Sequence, residues 1–198
     1  MLAGMEATVL SEPSAEERAR VLATLVSAFR TDPVERWLYP GDEEYGQHFP
    51  VFVAAFGGLA FRLGTAWRLG DCAAVALWLP PHAQLDGEQI IEVLVETVAP
   101  SKHADTFSVL DQMDAAHPGY PHWYLPWFAV DPSMQSQGLG GQLMTACLRV
   151  VDNARLPAYL ETPNPRAIPF YKRHGFEVTG VTDTGMCPPI TFMLRAAP

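Results

Sequence analysis

Residues 130–143 read Val130-Asp131-Pro132-Ser133-Met134-Gln135-Ser136-Gln137-Gly138-Leu139-Gly140-Gly141-Gln142-Leu143. A strand-like run carrying Trp123, Leu125, Trp127, Phe128 and Val130 leads into this stretch and ends at Asp131-Pro132. A helix over about residues 137–153 leaves it, with Leu139, Leu143, Cys147, Val150 and Val151 on one face. The loop between holds Gln135, Gly138, Gly140 and Gly141. Glycines leave the backbone bare, so several N–H groups can converge at the start of a helix. Such a concavity suits a phosphate or pyrophosphate through direct hydrogen bonds and the helix dipole. A tight strand-to-helix turn without a ligand is the competing reading. The loop is not a Walker loop, since no Gly-Lys-Ser/Thr follows, and it is not G-x-G-x-x-G. Pro126 cannot donate a ladder hydrogen bond, so its strand needs an edge position, a bulge or a splay there.

Working outward, Ala158 to Glu161 reads as a short strand. A short helix spans Arg166 to His174 and is stopped by Gly175, and strands follow at 176–181 and 190–194. Upstream, a strand at 6–10 precedes a helix that Ser14 caps, with Glu17 completing a capping box. Asp32-Pro33 opens a second short helix. A longer one is expected over about 43–62, although Pro50 and Gly57-Gly58 weaken it. Strands at 66–69 and 73–79 make a hairpin across Gly70-Asp71, and 86–116 is a helical insertion broken at Pro100. Alternating strands and helices point to a mixed α/β sheet.

The 198 residues suit one domain spanning 1–198, and a hydrophobic content of 48% supports a sizeable core. The longest uncharged apolar run, Val51 to Phe61, falls well short of the ~20 residues that cross a bilayer. No secretory leader pattern is visible. A net charge of −9 argues against nucleic-acid and anionic-membrane partners. The charge is split: residues 1–120 carry −10 and residues 121–198 carry +1. Cys72, Cys147 and Cys187 are scattered, so no metal site is expected, and free thiols suit a reducing, cytoplasmic location.

The Gln-x-x-Gly-x-Gly loop between strand and helix resembles the acetyl-CoA signature of the GNAT superfamily of N-acyltransferases. A second marker is similar too: Leu160-Glu161-Thr162-Pro163-Asn164, then Pro169-Phe170-Tyr171, then Gly175-Phe176. Together the markers cover residues 122–181. The Asp32-Pro33 step and the Ala74–Trp78 strand extend the likeness to puromycin N-acetyltransferase-like members. The resemblance implies a mixed, mostly antiparallel central sheet with flanking helices. Residues 1–120 would form the acceptor side and 121–198 the acetyl-CoA side. Backbone groups of a bulged strand at Phe128, Ala129 and Val130 would hold the pantetheine arm. Amides from Gln135 through Gln137, Gly138, Gly140 and Gly141 would hold the pyrophosphate. Asn164 would contact the cofactor near its thiol end, and Tyr171 would protonate the departing thiolate. Pro126 and Pro163 depart from the pattern, so the acceptor's identity does not transfer.

Amine acetylation requires a neutral nitrogen, and therefore a base or a desolvating pocket. Glu161 is one candidate, with a salt bridge to Arg166 as its alternative. His122 is another, with an ordinary surface or core imidazole as its alternative. Asp32 or Glu35 could reach the acceptor from the other side, although Asp32 is also placed to cap its helix. Tyr171 could simply pack its short helix. Trp37 and Tyr39 are the first choices for an aromatic acceptor wall. A covalent cysteine relay is disfavoured, because Cys147 lies on an apolar helix face. The expected partner is a small-molecule amine, on a monomer or homodimer, with acetyl-CoA as donor. A non-catalytic acyl-CoA-binding module and a peptide N-terminal acetyltransferase are the alternatives.

Overall fold

A computed structural model describes residues 5–198. One mixed sheet runs through them, in the order β1 (Ala7–Leu10), β2 (Ala66–Leu69), β3 (Ala74–Leu79), β4 (Trp123–Val130), β5 (Ala158–Thr162), β7 (Thr191–Arg195), β6 (Glu177–Val181). Every neighbouring pair is antiparallel except β4 and β5, which are parallel. Helices cover both faces, so β3 at the centre is buried at all six positions and reads as an unbroken apolar run. On one face pack α1 (Ala15–Ala28), α2 (Pro33–Leu38), α3 (Asp42–Gly57), α5 (Gly87–Thr97) and α6 (His103–Ala116). On the other pack α7 (Leu139–Asn153) and α8 (Ile168–Arg173).

Local chemistry explains most of the ends. The Ser14 hydroxyl accepts from the Glu17 N–H at 3.2 Å, and the Glu17 carboxylate accepts from the Ser14 N–H at 2.9 Å. The expected capping box is therefore present on α1. Asp32 caps α2 by accepting from the Val34 and Glu35 N–H groups at 3.0 and 3.3 Å, with Pro33 as the first helical residue. Gly175 stops α8 with φ +87°, a conformation that L side chains rarely adopt.

The expected 43–62 helix is corrected. It is two helices, α3 and α4 (Leu59–Leu63), that meet at Gly58. There the chain folds tightly, and a Cβ on Gly58 would lie 2.3 Å from the Ala54 carbonyl oxygen. Gly57 allows α3 to lie directly on Trp127, since a Cβ at 57 would fall 2.3 Å from that ring. Pro50, expected to weaken a helix, is carried inside α3.

The sheet is interrupted in the middle. Leu77 pairs with Trp127 and Leu79 with Tyr124, so β4 carries one extra residue at Leu125-Pro126. This is a β-bulge at the proline, on a central rather than an edge strand. The parallel pairing of β4 with β5 is confined to Trp123↔Ala158 and Tyr124↔Tyr159. Beyond that point β5 stays with β7 and parts from β4.

Candidate active site

The parting of β4 and β5 leaves backbone groups without a ladder partner, and the register identifies which. The Asp131 N–H donates to the Ala73 carbonyl at 2.9 Å. In an antiparallel ladder, alternate residues spend both their N–H and C=O on the same neighbour. Trp127, Ala129 and Asp131 therefore face β3, whereas the backbone of Phe128 and Val130 faces the opening. This corrects the expectation for the strand: the bulge lies upstream at Leu125-Pro126, and the Ala129 backbone belongs to the β3 ladder. The geometry suits an amide-bearing chain laid along β4 as an added strand, with Phe128 and Val130 supplying its hydrogen bonds.

At the end of β4 the glycine loop opens α7. Gly138 caps the helix with φ +81°, and Ser136 before it has φ +61°. Gln135 braces the loop, its side-chain amide donating to the Val130 carbonyl at 3.2 Å. The amides of Gly140 and Gly141 lie in the first turn, where helical N–H groups have no partner within the helix. A Cβ at Gly140 would sit 3.2 Å from Val130 and 3.5 Å from Phe170. Glycine there lets α7 start directly against β4 and α8. A helix N-terminus with unpaired first-turn amides thus adjoins the free edge of β4, a pairing whose geometry suits an anionic group beside an amide-bearing chain.

A cavity of about 100 Å³ lies at the parting of the strands, on the α1–α3 side. It is lined by Phe29, Phe52, Phe56, Trp127 and other apolar side chains, together with Glu35, Glu161 and Tyr171. Trp127 makes edge contacts with Phe29, Phe49 and Phe52 at 5.2, 5.6 and 6.0 Å between centroids, so its ring is held from several sides. Trp37 lines the cavity. Tyr39 does not; it is 1% exposed and its hydroxyl pairs with Thr97 at 3.0 Å, so it belongs to the core. Phe29, which ends α1, and Phe52 and Phe56 of α3 supply most of the aromatic wall instead. Their spacing is that of ordinary core residues, and nothing in the sequence separates the two roles.

Three acids from the candidate set are buried. Glu35 is 5% exposed and its Oε2 has no hydrogen-bond partner. Burial, reinforced by the neighbouring Asp32 charge, pushes its carboxyl well above the usual range. Asp32 is 6% exposed, and burial pushes it up to about 6 despite the two capping N–H groups. The Glu161 side chain is 5% exposed, and its Oε1 lies 3.4 Å from His117 Nε2. The expected alternative partner, Arg166, forms no salt bridge with it. Burial, with the charge of Glu161, pushes the Tyr124 and Tyr159 phenols upward, so these rings border Glu161 as neutral hydroxyls.

Tyr171 is buried, packed edge-on against Phe170 and Phe176 at 5.3 and 6.0 Å. Burial, and secondarily the charge of Asp32, raises its phenol above the ordinary value, so it holds its proton at physiological pH. His122 stands outside the cavity, one contact behind His117: His117 Nδ1 lies 3.0 Å from His122 Nε2. Asn164 is exposed at the end of β5, where its side-chain oxygen accepts from the Arg166 N–H at 3.0 Å. His117 was not a sequence candidate. It ends the helical insertion, and no local pattern connects it to Glu161.

Asp32 carries a stability prediction. An acid held above its ordinary pKa destabilises the folded state once the unfolded chain can ionise. The penalty is absent below about pH 4, grows through about pH 6, and then holds at about 2–3 kcal/mol. Asp32→Asn keeps the capping oxygen and removes the titration. Urea unfolding should show the variant gaining on the parent between about pH 4 and pH 7; a difference that is flat with pH would refute this reading.

With this geometry in place, relatives can be compared. A sequence model of the Acetyltransferase (GNAT) family matches residues 52–176. The chain belongs to the GNAT acetyltransferase family. It is 25% identical over 190 residues to an uncharacterised N-acetyltransferase of Schizosaccharomyces pombe, covering 82% of this chain and 71% of that one. Its fold matches arylalkylamine N-acetyltransferase 2 of Aedes aegypti with a TM-score of 0.68 at 14% identity, over 98% of this chain and all of the other (100%). It also matches the Corynebacterium glutamicum protein described as histone acetyltransferase HPA2 and related acetyltransferase. That match has a TM-score of 0.63 at 22% identity, over 98% and 97% of the two chains. The seven-stranded, mostly antiparallel sheet with flanking helices is the fold of this GNAT family member. Among the described residues, no helix is long and apolar enough to cross a membrane, and no cluster of three or more His, Cys, Asp or Glu side chains could hold a metal ion.

Proposed function

We propose that this chain is an acetyl-CoA-dependent N-acetyltransferase for the primary amine of a small, partly apolar molecule, and that transfer is direct within a ternary complex. The observation that carries the reading is the meeting of three features at one break in the sheet: an unladdered strand edge, a glycine-rich helix start, and an apolar cavity holding two buried carboxyls and a neutral phenol. The arylalkylamine enzyme that shares the fold supports the amine class. The aromatic wall adds that the amine's body is apolar or flat.

Acetyl-CoA supplies an activated acyl group; the chain's residues do the rest. Phe128 and Val130 align the donor along β4, and the Gln137–Gly141 amides meet its pyrophosphate. Glu35, whose Oε2 has no hydrogen-bond partner among the described residues, offers an acceptor to the incoming amine. Glu161 takes the proton that frees the nitrogen lone pair. The Phe128 N–H, aimed into the opening, meets the negative charge that develops on the acyl oxygen. Tyr171 gives its proton to the leaving sulfur and regains one from the second proton that the acylated nitrogen sheds. Thiol nucleophiles are not needed. Burial pushes the Cys147 thiol up to about 12 and the Cys187 thiol up to about 11, so neither forms an appreciable thiolate at neutral pH.

The test is thiol release from acetyl-CoA across a panel of arylalkylamines, diamines and short peptides. Release with small amines and not with peptides is expected. Tight CoA binding without release from any amine would favour a regulatory acyl-CoA module. Release with peptides alone would favour an N-terminal acetyltransferase.

A further inference from the structure

We propose that Glu161, His117 and His122 form a proton relay that carries the proton set free by acetyl transfer from the reaction cavity to an open groove beside α6. The proposal rests on the acetyltransferase reading, and its test separates the two.

The need for such a path follows from proton balance. An ammonium and a thioester become an amide and a thiol, and one proton is left over. Of the two protons that the nitrogen gives up, one ends on sulfur and the other must leave. Phe56, Leu110, Met113 and Tyr124 line both the cavity and the groove and form the wall that the two share.

One polar path crosses that wall. Glu161 lines the cavity, whereas His117 and His122 line the groove. The groups run in line: Glu161 Oε1 approaches His117 Nε2 at 3.4 Å without a hydrogen bond, His117 Nδ1 bonds His122 Nε2 at 3.0 Å, and His122 Nδ1 bonds the Tyr120 carbonyl at 2.8 Å. The far end sets the hydrogens. A carbonyl can only accept, so His122 Nδ1 carries a hydrogen and neutral His122 presents a lone pair at Nε2. His117 therefore donates from Nδ1, and neutral His117 presents its own lone pair to Glu161. The array is one proton short at the Glu161 end, where the reaction delivers one. A proton arriving on Glu161 passes to His117 Nε2. His117 passes its Nδ1 proton to His122 Nε2, and His122, half-buried at the groove, releases one to water. One proton enters, one leaves, and the net charge of the three side chains is restored; both imidazoles are left in the opposite tautomer and regain the starting one by ring rotation or exchange with groove water before the next turnover. Burial lowers His122, against the opposing pull of the Tyr120 carbonyl, which favours release at neutral pH.

The groups facing the imidazoles are Glu161 and Tyr159 of β5, Tyr124 of β4, and Asp111 and Asp114 of α6 along the groove. A purely structural cluster would need the contacts but not their order from buried to open.

His117→Ala is the test, read by steady-state kinetics against pH. The relay predicts a kcat about 10- to 100-fold lower and an amine KM within about threefold of the parent. It also predicts partial recovery on adding imidazole, which can enter from the groove. His117→Gln, which keeps a polar contact but cannot pass a proton, should be equally slow and serves if the alanine variant fails to fold. Parental kcat and pH profile in either variant would overturn the relay while leaving acetyl transfer intact. So would full activity in His117→Gln beside a slow, imidazole-insensitive His117→Ala. A parent enzyme that releases no thiol with any amine would overturn the acetyltransferase reading instead.

Discussion

Replacing Tyr171 by phenylalanine should lower kcat by about 10²-fold or more while leaving the fold and the affinity for CoA nearly unchanged. The substitution removes one oxygen and keeps the ring that packs edge-on against Phe170 and Phe176. The phenol is raised by burial, so it remains protonated across the pH range in which an amine becomes neutral. Its titration therefore contributes no fall in rate below about pH 10, the ordinary phenol value. The alkaline side of the parent's profile should rise with amine deprotonation and show no loss until still higher pH. Single-turnover rates and CoA calorimetry on both proteins measure this. An unchanged kcat in the phenylalanine variant would remove Tyr171 from the chemistry and leave it a packing residue.

The second large effect is expected at Glu35, where stability and function pull in opposite directions. An unpartnered carboxyl in an apolar cavity costs free energy whether it ionises or takes up a proton. Its raised pKa means that the folded state keeps a proton that the unfolded chain loses above about pH 4. Folding is therefore penalised more as pH rises. Glu35→Met fills similar volume without a polar group. It should raise Tm by about 3–8 °C near pH 8, with a smaller gain near pH 5, because about 1–3 kcal/mol of desolvation is relieved. The same change should raise the amine KM by at least about tenfold, since the amine loses a buried hydrogen-bond acceptor. Calorimetric melts at the two pH values and amine saturation curves decide it. A variant less stable than the parent at both pH values, or one with an unaltered KM, would refute the assignment.

This trade also sharpens the meaning of the uneven charge. The −10 of residues 1–120 includes Asp32 and Glu35, which are buried beside the cavity instead of spread on the surface. The net charge alone could not locate them there. The near-neutral second part holds the glycine loop, where an anionic donor is expected to bind.

Elements governed by neighbours in the chain were legible in the residues. The capping box of α1, the Asp32 cap, the glycine-opened α7 and the Gly175 stop each depend on contacts within a few residues. Pro126 announced an irregular strand, because a missing N–H is a property of the residue itself. Four features were not legible. The bulge sits at Leu125-Pro126 because β3 sets its register, and the opening exists because β5 keeps its pairing with β7. Tyr39 went to the core because Thr97, on a helix far along the chain, meets its hydroxyl. His117 joined Glu161 only because the insertion returns to the sheet where β5 ends.

The sequence by itself determined the capped or glycine-marked ends of α1, α2, α7 and α8, which loop can present bare amides, and which titratable residues were available. Those properties follow from backbone stereochemistry and side-chain type. Only the tertiary structure decided which acids lost their water, which backbone groups lost their ladder partners, and which imidazoles stood in line. Desolvation and strand pairing depend on what the rest of the chain brings alongside, and no short window of residues contains that information.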